Sequence, residues 1–294
     1  LYVIVKEGYL YKYDFEFDRF VEIFSKTDQD FLSITHLDNS RLVIGLRSGI
    51  LLFDLSTGVS SVVLHKNLRY NRSLVFNNKR LYVASSMGVF VFDYLEDSAE
   101  LVYSKTLSKD TDVLEIAFDH HGKLWIGTES DGLFTYHKGK IEKLNLSHLL
   151  RKTYAIRTIN FDRNNHAVVS IDRLGVFVFD QNLNVLKQFS HQVDDFNSIS
   201  QNSVYEIFID KNNTYWLGTR ERGINIISQD DIVFQNIRHI QNDQHSIHSN
   251  NIRSICEATN GDLWFGTENG LGKKSKEGKW INYNPFTYLN NTAI

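Results

Sequence analysis

The sequence contains few of the residues that mark several classes of protein. Its 294 residues include one cysteine, one proline and one methionine. A single cysteine excludes a disulfide within the chain, and Cys256 fits best as a small buried hydrophobic residue of a strand. One proline together with 17 glycines argues against a collagen-like or disordered chain. No apolar run reaches the roughly 18 residues of a membrane-spanning helix.

Charge of neither sign dominates. The 32 lysines and arginines stand against 35 aspartates and glutamates, for a formal net charge of -3. We therefore expect no nucleic-acid partner for this segment, because proteins that bind nucleic acids carry a basic excess. Hydrophobic residues make up 42% of the chain and aromatic residues 13%, which is enough for a sizeable core.

The stretch LWIGTESDGLFTY, residues 124–136, predicts a β-hairpin. Leu124, Trp125 and Ile126 favour a strand, and a second apolar run follows the polar turn that ends at Gly132. A glycine supplies the positive φ that a tight turn needs without a steric cost. Two apolar runs joined in this way are the sequence pattern of a hairpin.

This hairpin occurs seven times along the chain. The turn glycines of the seven copies are Gly8, Gly49, Gly88, Gly132, Gly175, Gly223 and Gly270. They are spaced from 39 residues (Gly49 to Gly88) to 48 residues (Gly175 to Gly223) apart. A period near forty built from short strands is typical of a β-propeller. Six copies also carry a small residue in their first strand, where blades crowd together: Gly45, Ala84, Gly127, Ser170, Gly218 and Gly266.

Each hairpin after the first is preceded by an apolar inner strand, and most are followed by a looser outer strand. The sequence therefore predicts an all-β fold, a seven-bladed β-propeller of four-stranded antiparallel blades that occupies residues 1–294 as one domain. The first blade lacks its inner strand within this segment. Residues 288–294 (YLNNTAI) resemble the stretches that lead into inner strands at 198–204 and 246–252. We therefore expect the repeats to continue in a longer protein.

The repeats resemble those of the two-component regulator propeller family. The resemblance is clearest in GKLWIGTESDGLFTY, NTYWLGTRERGINII and GDLWFGTENGLG, from the fourth, sixth and seventh copies. It extends more weakly over nearly the whole chain. Repeats of this family build the sensor region of hybrid two-component systems in gut Bacteroides and their relatives.

The resemblance implies a protein larger than this chain. Members typically have two seven-bladed propellers, a β-sandwich, a membrane helix, a histidine kinase and response-regulator parts. This chain would be the first propeller of the pair, in the periplasm and in a homodimer, with the membrane helix outside this segment. Its ligand would be an oligosaccharide from a complex glycan, and binding would control the linked kinase.

Four arginines lie in the turns of the predicted hairpins: Arg47, Arg173, Arg220 and Arg222. Planar guanidinium groups suit carboxylates and sulfates. The four are therefore candidates for binding an acidic oligosaccharide or an acidic surface of a partner. The alternative is that the four arginines do not bind a ligand. They would then be solvated or pair with nearby carboxylates, namely Glu129, Asp172, Glu221 and Glu268.

The loops that lead into the inner strands emerge at the same end of the predicted blades as the hairpin turns. They add further ligand-binding candidates: Tyr154, Asn202, His248 and Asn251. Trp125, Trp216 and Trp264 occupy one repeated position and are better explained by blade packing than by sugar binding. The sequence indicates no cofactor and no metal site, because the loop that holds His245 and His248 offers no third ligand at a familiar spacing.

Three functions fit these observations. The first is a sensor module that binds a glycan fragment or docks against a second propeller. The second is an enzyme, in which two of Glu129, Asp131, Glu221 and Glu268 serve a glycosidase, or His248 and Tyr154 serve a lyase. The third is an interaction scaffold, although the chain lacks the Gly-His and Trp-Asp dipeptides of WD-repeat propellers. We favour the sensor and expect no catalytic residue in this segment, whereas the full-length protein would be a histidine kinase.

Overall fold

The computed structural model describes residues 1–65, 67–95, 100–146, 152, 154–193, 195, 198–228, 234–243 and 245–283. Within these ranges the chain forms strands, turns and bends. Over the same ranges, no helix is long and apolar enough to cross a membrane. The predicted lead-in segment 288–294 lies outside the described residues.

The chain divides into two compact units, and the first comprises residues 1–118 and 122–153. It contains four antiparallel sheets, each a simple meander. The first sheet has three strands, β1 (Tyr2–Val5), β2 (Tyr9–Asp14) and β3 (Arg19–Ser25). The second has β4 (Phe31–His36), β5 (Arg41–Leu46), β6 (Ile50–Asp54) and β7 (Ser60–Val63). The third has β8 (Ser73–Asn77), β9 (Arg80–Ser85), β10 (Gly88–Leu95) and β11 (Glu100–Lys109). The fourth has β12 (Val113–Phe118), β13 (Leu124–Thr128), β14 (Leu133–His137) and β15 (Lys140–Lys143).

The second unit comprises residues 119–121 and 154–294 and contains three four-stranded antiparallel sheets. The fifth sheet of the chain has β16 (Ile156–Phe161), β17 (Ala167–Ile171), β18 (Gly175–Phe179) and β19 (Val185–Phe189). The sixth has β20 (Val204–Ile209), β21 (Tyr215–Thr219), β22 (Ile224–Ile227) and β23 (Phe234–Ile237). The seventh has β24 (Ile252–Glu257), β25 (Leu263–Thr267), β26 (Gly270–Lys274) and β27 (Trp280–Tyr283).

The fold is therefore the predicted all-β, seven-bladed β-propeller, with six blades of four strands and a first blade of three. The outer strands β15 and β23 have four residues each. The inner strands and hairpins lie at the positions that the repeats predict.

The seven predicted turn glycines all have positive φ, from 76° at Gly223 to 128° at Gly88. This is a backbone conformation that side chains with a Cβ rarely adopt. At Gly223 an added Cβ would also lie 2.1 Å from the carbonyl oxygen of Ile237. The turn at Gly223 therefore needs glycine for two independent reasons.

The small residues in the first hairpin strand allow close contact between neighbouring blades. An added Cβ at Gly45 would lie 2.5 Å from the carbonyl oxygen of Asn71, which precedes the third blade. One at Gly218 would lie 2.7 Å from Cγ2 of Ile252 in the seventh blade. The prediction from these small residues is confirmed at both sites.

Apolar residues of adjacent blades form the core within each unit. In the first unit, Val43, Ile50 and Leu52 of the second blade belong to one cluster with residues of the third, namely Leu81, Val83 and Phe90. In the second unit, Val168 and Val178 of the fifth blade cluster with residues of the sixth, namely Val204, Ile207 and Leu217. Burial of such side chains contributes about 1.5–3 kcal/mol each.

The repeated tryptophans belong to this core, as predicted. The exposed fractions of Trp125, Trp216 and Trp264 are 3%, 7% and 2%. The prediction of burial for Cys256 is wrong. This residue lies on β24 opposite Trp264, and its side chain is exposed.

Candidate functional site

Each blade presents its hairpin turn and its lead-in loop at the same end. In the sixth blade, Val204 at the start of β20 pairs with Thr219 at the end of β21. In the seventh, Ile252 pairs with Thr267 in the same way. We call this the lead-in end of a blade, and the end that carries the turn between the first two strands the opposite end. The predicted grouping of the two kinds of loop is therefore confirmed within blades.

The second residue of each inner strand in the second unit occupies a β-bulge. In the fifth blade Ile156 pairs with Ile171 and Thr158 with Ser170, so Arg157 is the extra residue of the bulge. Tyr205 and Arg253 hold the equivalent positions in the sixth and seventh blades. Bulges bend a strand and redirect a side chain, and they are common beside functional sites.

These three bulged residues lie together. The Cζ atom of Arg157 is 5.4 Å from the centre of the Tyr205 ring, and that of Arg253 is 5.5 Å from it. Both distances are within the range of cation–π attraction. One aromatic ring therefore orients two guanidinium groups at the lead-in end of the second unit.

Asp172, in the hairpin turn of the fifth blade, holds one side of this cluster. Its Oδ2 lies 3.3 Å from Arg157 Nη2, and its Oδ1 accepts a hydrogen bond from Ser203 Oγ at 2.8 Å. The side chains of Arg157 and Asp172 are 26% and 16% exposed, so solvent screens this pair only in part. The carboxylate of Asp172 thereby balances the charge of Arg157, whereas the side chain of Arg253 is exposed.

A second arginine–tyrosine cluster lies at the lead-in end of the first unit. The Cζ atoms of Arg47 and Arg72 lie 5.3 Å and 5.8 Å from the centre of the Tyr70 ring. Arg47 Nη2 is 2.6 Å from Asp30 Oδ2, and Arg72 pairs with Asp112. Both guanidinium groups of this cluster therefore have a carboxylate partner.

The other three predicted arginines have different surroundings. Arg220 Nε lies 3.3 Å from Glu221 Oε1, in a pair whose two side chains are more than half exposed. Such a pair contributes little to stability. Arg173 and Arg222 are exposed. Arg220 therefore pairs with Glu221, one of the carboxylates that the sequence offered as a partner, whereas the partner of Arg47 is a residue that the sequence did not single out.

Asn202 has a structural role in its lead-in loop. Its Oδ1 accepts the backbone N–H of His191 at 2.6 Å, and its carbonyl oxygen accepts the backbone N–H of Gly175 at 3.1 Å. In the following loop Asn250 accepts the N–H groups of His239 and Gly223 in the same arrangement. These asparagines fasten the two loops to the turn glycines of the fifth and sixth blades.

The remaining predicted residues also lie at the lead-in end. Asn251 Nδ2 donates to Glu268 Oε2 at 2.8 Å. Asn251 Oδ1 and His248 Nδ1 are buried and have no hydrogen-bond partner among the described residues. Tyr154 is half-buried just before β16. Such buried polar atoms normally find a protein group, water or ligand as a partner.

An open groove of about 1000 Å³ runs between the lead-in loops of the sixth and seventh blades. Its lining includes Glu221 and Arg222 from the hairpin turn, Asn236 from β23, and His191 and His239 from the loops. The groove brings Arg222 beside Asn250, but not Arg47, which belongs to the first unit. Within the described ranges, no group of three or more His, Cys, Asp or Glu residues could hold a metal ion.

The sequence did not single out Tyr205, Arg253 or Tyr70. Arg72 lies just before an inner strand and Arg157 just after the start of one, and nothing in the repeat pattern distinguishes them. The available signal was position, because Arg157, Tyr205 and Arg253 are each the second residue of an inner strand. Alternation along a regular strand does not predict the direction of a bulged side chain.

Comparison with known proteins agrees with this fold. The two-component regulator propeller family matches residues 198–221 and 246–269, each of which runs from a lead-in loop through the first two strands of a blade. The predicted resemblance is confirmed at these repeats. No curated protein matches the sequence.

Several solved structures are similar. The extracellular domain of the putative hybrid two-component system BT4673 from B. thetaiotaomicron matches with 17% identity and a TM-score of 0.59, over 96% of this chain and 46% of that chain. That of BT3049 from the same organism matches with 18% identity and a TM-score of 0.57, over 97% and 44%. A virginiamycin B lyase from Staphylococcus aureus matches with 14% identity and a TM-score of 0.69, over 89% and 86%.

At these identities the similarity shows the fold alone. The chain spans less than half the length of the two extracellular domains. It is thus a β-propeller in which two repeats match the two-component regulator propeller family, and its role in a complete protein is a matter of proposal.

Proposed function

We propose that this chain is an extracytoplasmic sensor propeller of a hybrid two-component system, which binds an oligosaccharide and controls a linked histidine kinase. The observation that carries the proposal is the pair of regulator repeats at 198–221 and 246–269. The similar extracellular domains of two putative hybrid systems support it. In this proposal the segment is periplasmic and non-catalytic, and its ligand binds at the lead-in end.

The chemistry of the lead-in end suits a sugar. The second unit offers the Tyr205 ring, the guanidinium groups of Arg157 and Arg253, and the amide of Asn251 within three consecutive blades. Ligand sites in general combine apolar or aromatic surface with a few converging polar groups. The four hairpin arginines, together with Tyr154, Asn202, His248 and Asn251, remain candidates for contacting the ligand.

Signalling would follow from differential binding. A ligand shifts an equilibrium between two arrangements only by as much as it prefers one of them. We propose that the arrangements differ in how this propeller meets its partners, namely a second propeller and a β-sandwich of the same chain and the other copy of a homodimer. A membrane helix outside this segment would carry the change to the kinase.

Catalysis is the second candidate, because one structural neighbour is a lyase. That neighbour shares the fold at 14% identity, and this does not transfer an activity. Release of products from any bound oligosaccharide would favour the enzyme over the sensor. A stable protein partner without sugar binding would favour a scaffold.

A thermal-shift screen of the full chain against neutral and acidic oligosaccharides tests the proposal. A ligand at a hundred times its dissociation constant stabilises a protein by about 2.7 kcal/mol, which such a screen detects. We expect at least one oligosaccharide to raise the melting temperature without being cleaved. If none does so over the panel, the sensor proposal for this propeller is wrong.

A further inference from the structure

Arg253 differs from the other arginines of the two clusters. The described ion pairs of the second unit involve Arg157, Lys211, Arg220 and His166. Within the described part of that unit, Arg253 has no carboxylate within ion-pair distance. Its partner is the Tyr205 ring, 5.5 Å from its Cζ atom.

The aromatic contact prepares the guanidinium group for a ligand. A free arginine side chain loses rotamer freedom when a ligand orders it. Attraction to the face of Tyr205 and the bulge at Arg253 restrict that freedom before any ligand arrives. The N–H donors of the planar guanidinium group then remain available for a bidentate contact with an oxyanion.

The surroundings favour a negative ligand group at this position. Arg157 lies on the same tyrosine ring, and its charge is balanced by Asp172. Glu268, the carboxylate of the seventh-blade turn, accepts a hydrogen bond from Asn251. Within the cluster of Arg157, Asp172, Tyr205 and Arg253, the charge of Arg253 is therefore the unbalanced one.

We propose that Arg253 and Tyr205 form an anion-binding position, and that the ligand is therefore an acidic oligosaccharide that carries carboxylate or sulfate groups. This inference rests on the proposed function, because it names the chemical class of ligand bound at the same end of the blades. Arg253 binds the anion directly, and Tyr205 positions its guanidinium group.

The test measures the affinity of the full chain for three defined probes by titration calorimetry. Tetragalacturonic acid presents carboxylates, a sulfated dextran tetrasaccharide presents sulfates, and maltotetraose is neutral. We expect one of the acidic probes to bind, and the one that binds identifies the anion. Arg253→Gln should weaken that binding roughly tenfold or more, as expected for loss of one charge-assisted contact.

Three further variants separate positioning from folding. Arg253→Lys keeps the charge but loses the paired N–H donors of the guanidinium group. It should therefore bind the acidic probe more weakly than the native chain and more tightly than Arg253→Gln. Tyr205→Phe keeps the ring and should bind normally, whereas Tyr205→Leu should weaken binding. Arg19 is the matched control, because its Cζ atom lies 5.2 Å from the Phe17 ring in the first unit. Arg19→Gln should leave the affinity unchanged.

The outcomes are distinguishable. Binding of maltotetraose but of neither acidic probe overturns the acidic ligand and leaves the sensor proposal standing. Acidic binding that Arg253→Gln and Arg19→Gln affect equally overturns the role of Arg253. If no oligosaccharide binds and an acidic protein does, both this inference and the proposed function are wrong.

Discussion

The Oδ1 atom of Asn202 accepts the backbone N–H of His191 at 2.6 Å. The same contact joins Asn250 and His239 at 2.7 Å, and in both loops the histidine Nδ1 lies within 3 Å of an isoleucine carbonyl. Two lead-in loops with different side chains on their surface therefore share one internal framework. This framework holds both loops at the lead-in end.

We predict that Asn202→Ala destabilises the chain by about 1–3 kcal/mol, because it leaves a backbone N–H without its acceptor. Asn250→Ala should have a similar effect. Urea denaturation gives the change, with Asn212→Ala as the control, since Asn212 is exposed on a turn at the opposite end. Equal stabilities for Asn202→Ala and Asn212→Ala would contradict the framework role.

Glycines with positive φ should differ in how well they tolerate substitution by alanine. At Gly223 φ is 76° and an added Cβ would lie 2.1 Å from a carbonyl oxygen, whereas Gly278 has φ of 89° and open space around it. Gly278→Ala should cost about 1–2 kcal/mol for its backbone conformation alone. Gly223→Ala adds the clash and should cost about 3 kcal/mol or more. Thermal or urea unfolding of the two variants measures the difference, and equal costs would refute the steric argument.

Glu115 should make stability depend on pH. Burial raises the pKa of its carboxyl group from 4.5 to about 8, even though Ser73 Oγ donates to it at 2.9 Å. Between these two values the folded chain keeps a proton that the unfolded chain releases, so stability falls as the pH rises from about 4.5 to about 8. Glu115→Gln stays neutral and should remove this part of the slope.

Urea denaturation at several pH values checks the prediction for Glu115. Glu16→Gln is the control, because Glu16 is exposed in the turn between β2 and β3. A pH profile that Glu115→Gln leaves unchanged would show that the carboxyl group titrates normally in the folded chain.

The predicted hairpin arginines can be tested by reversing their charge. If Arg220 and Arg222 contact an acidic oligosaccharide, replacing both with aspartate should abolish its binding. The double variant Lys211→Asp, Lys276→Asp changes net charge equally, and its residues lie in turns at the opposite end. Calorimetric titration of both double variants separates a local contact from a general charge effect. Unchanged affinity in the arginine variant would exclude these residues from the site.

The repeat pattern was sufficient to predict the blades. Each turn glycine marks a place where the backbone must adopt positive φ, and each buried tryptophan marks a fixed packing position, so both recur with the repeat. The exposure of Cys256 was not predictable in this way, because the bulge at Arg253 changes which face the following residues occupy. The contacts of Tyr205 could not be predicted for the same reason, because Tyr205 also lies at a bulge.

Ion pairs were the least predictable part of the site. Arg47 pairs with Asp30, which is 17 residues earlier in the chain, and Arg72 with Asp112, which is 40 residues later. These partners come from loops whose lengths vary between repeats. A sequence period gives the position of a strand in its blade, but it does not give the distance between two side chains on neighbouring loops.

The central claim is that an oligosaccharide binds at the lead-in end of the blades. Hydrogen exchange of the full chain, with and without an oligosaccharide found by the thermal-shift screen, tests it most directly. The account predicts slower exchange in peptides that cover residues 201–205, 220–223 and 248–254. Protection confined to the turns at the opposite end, at residues 162–166, 210–214 and 258–262, would contradict it.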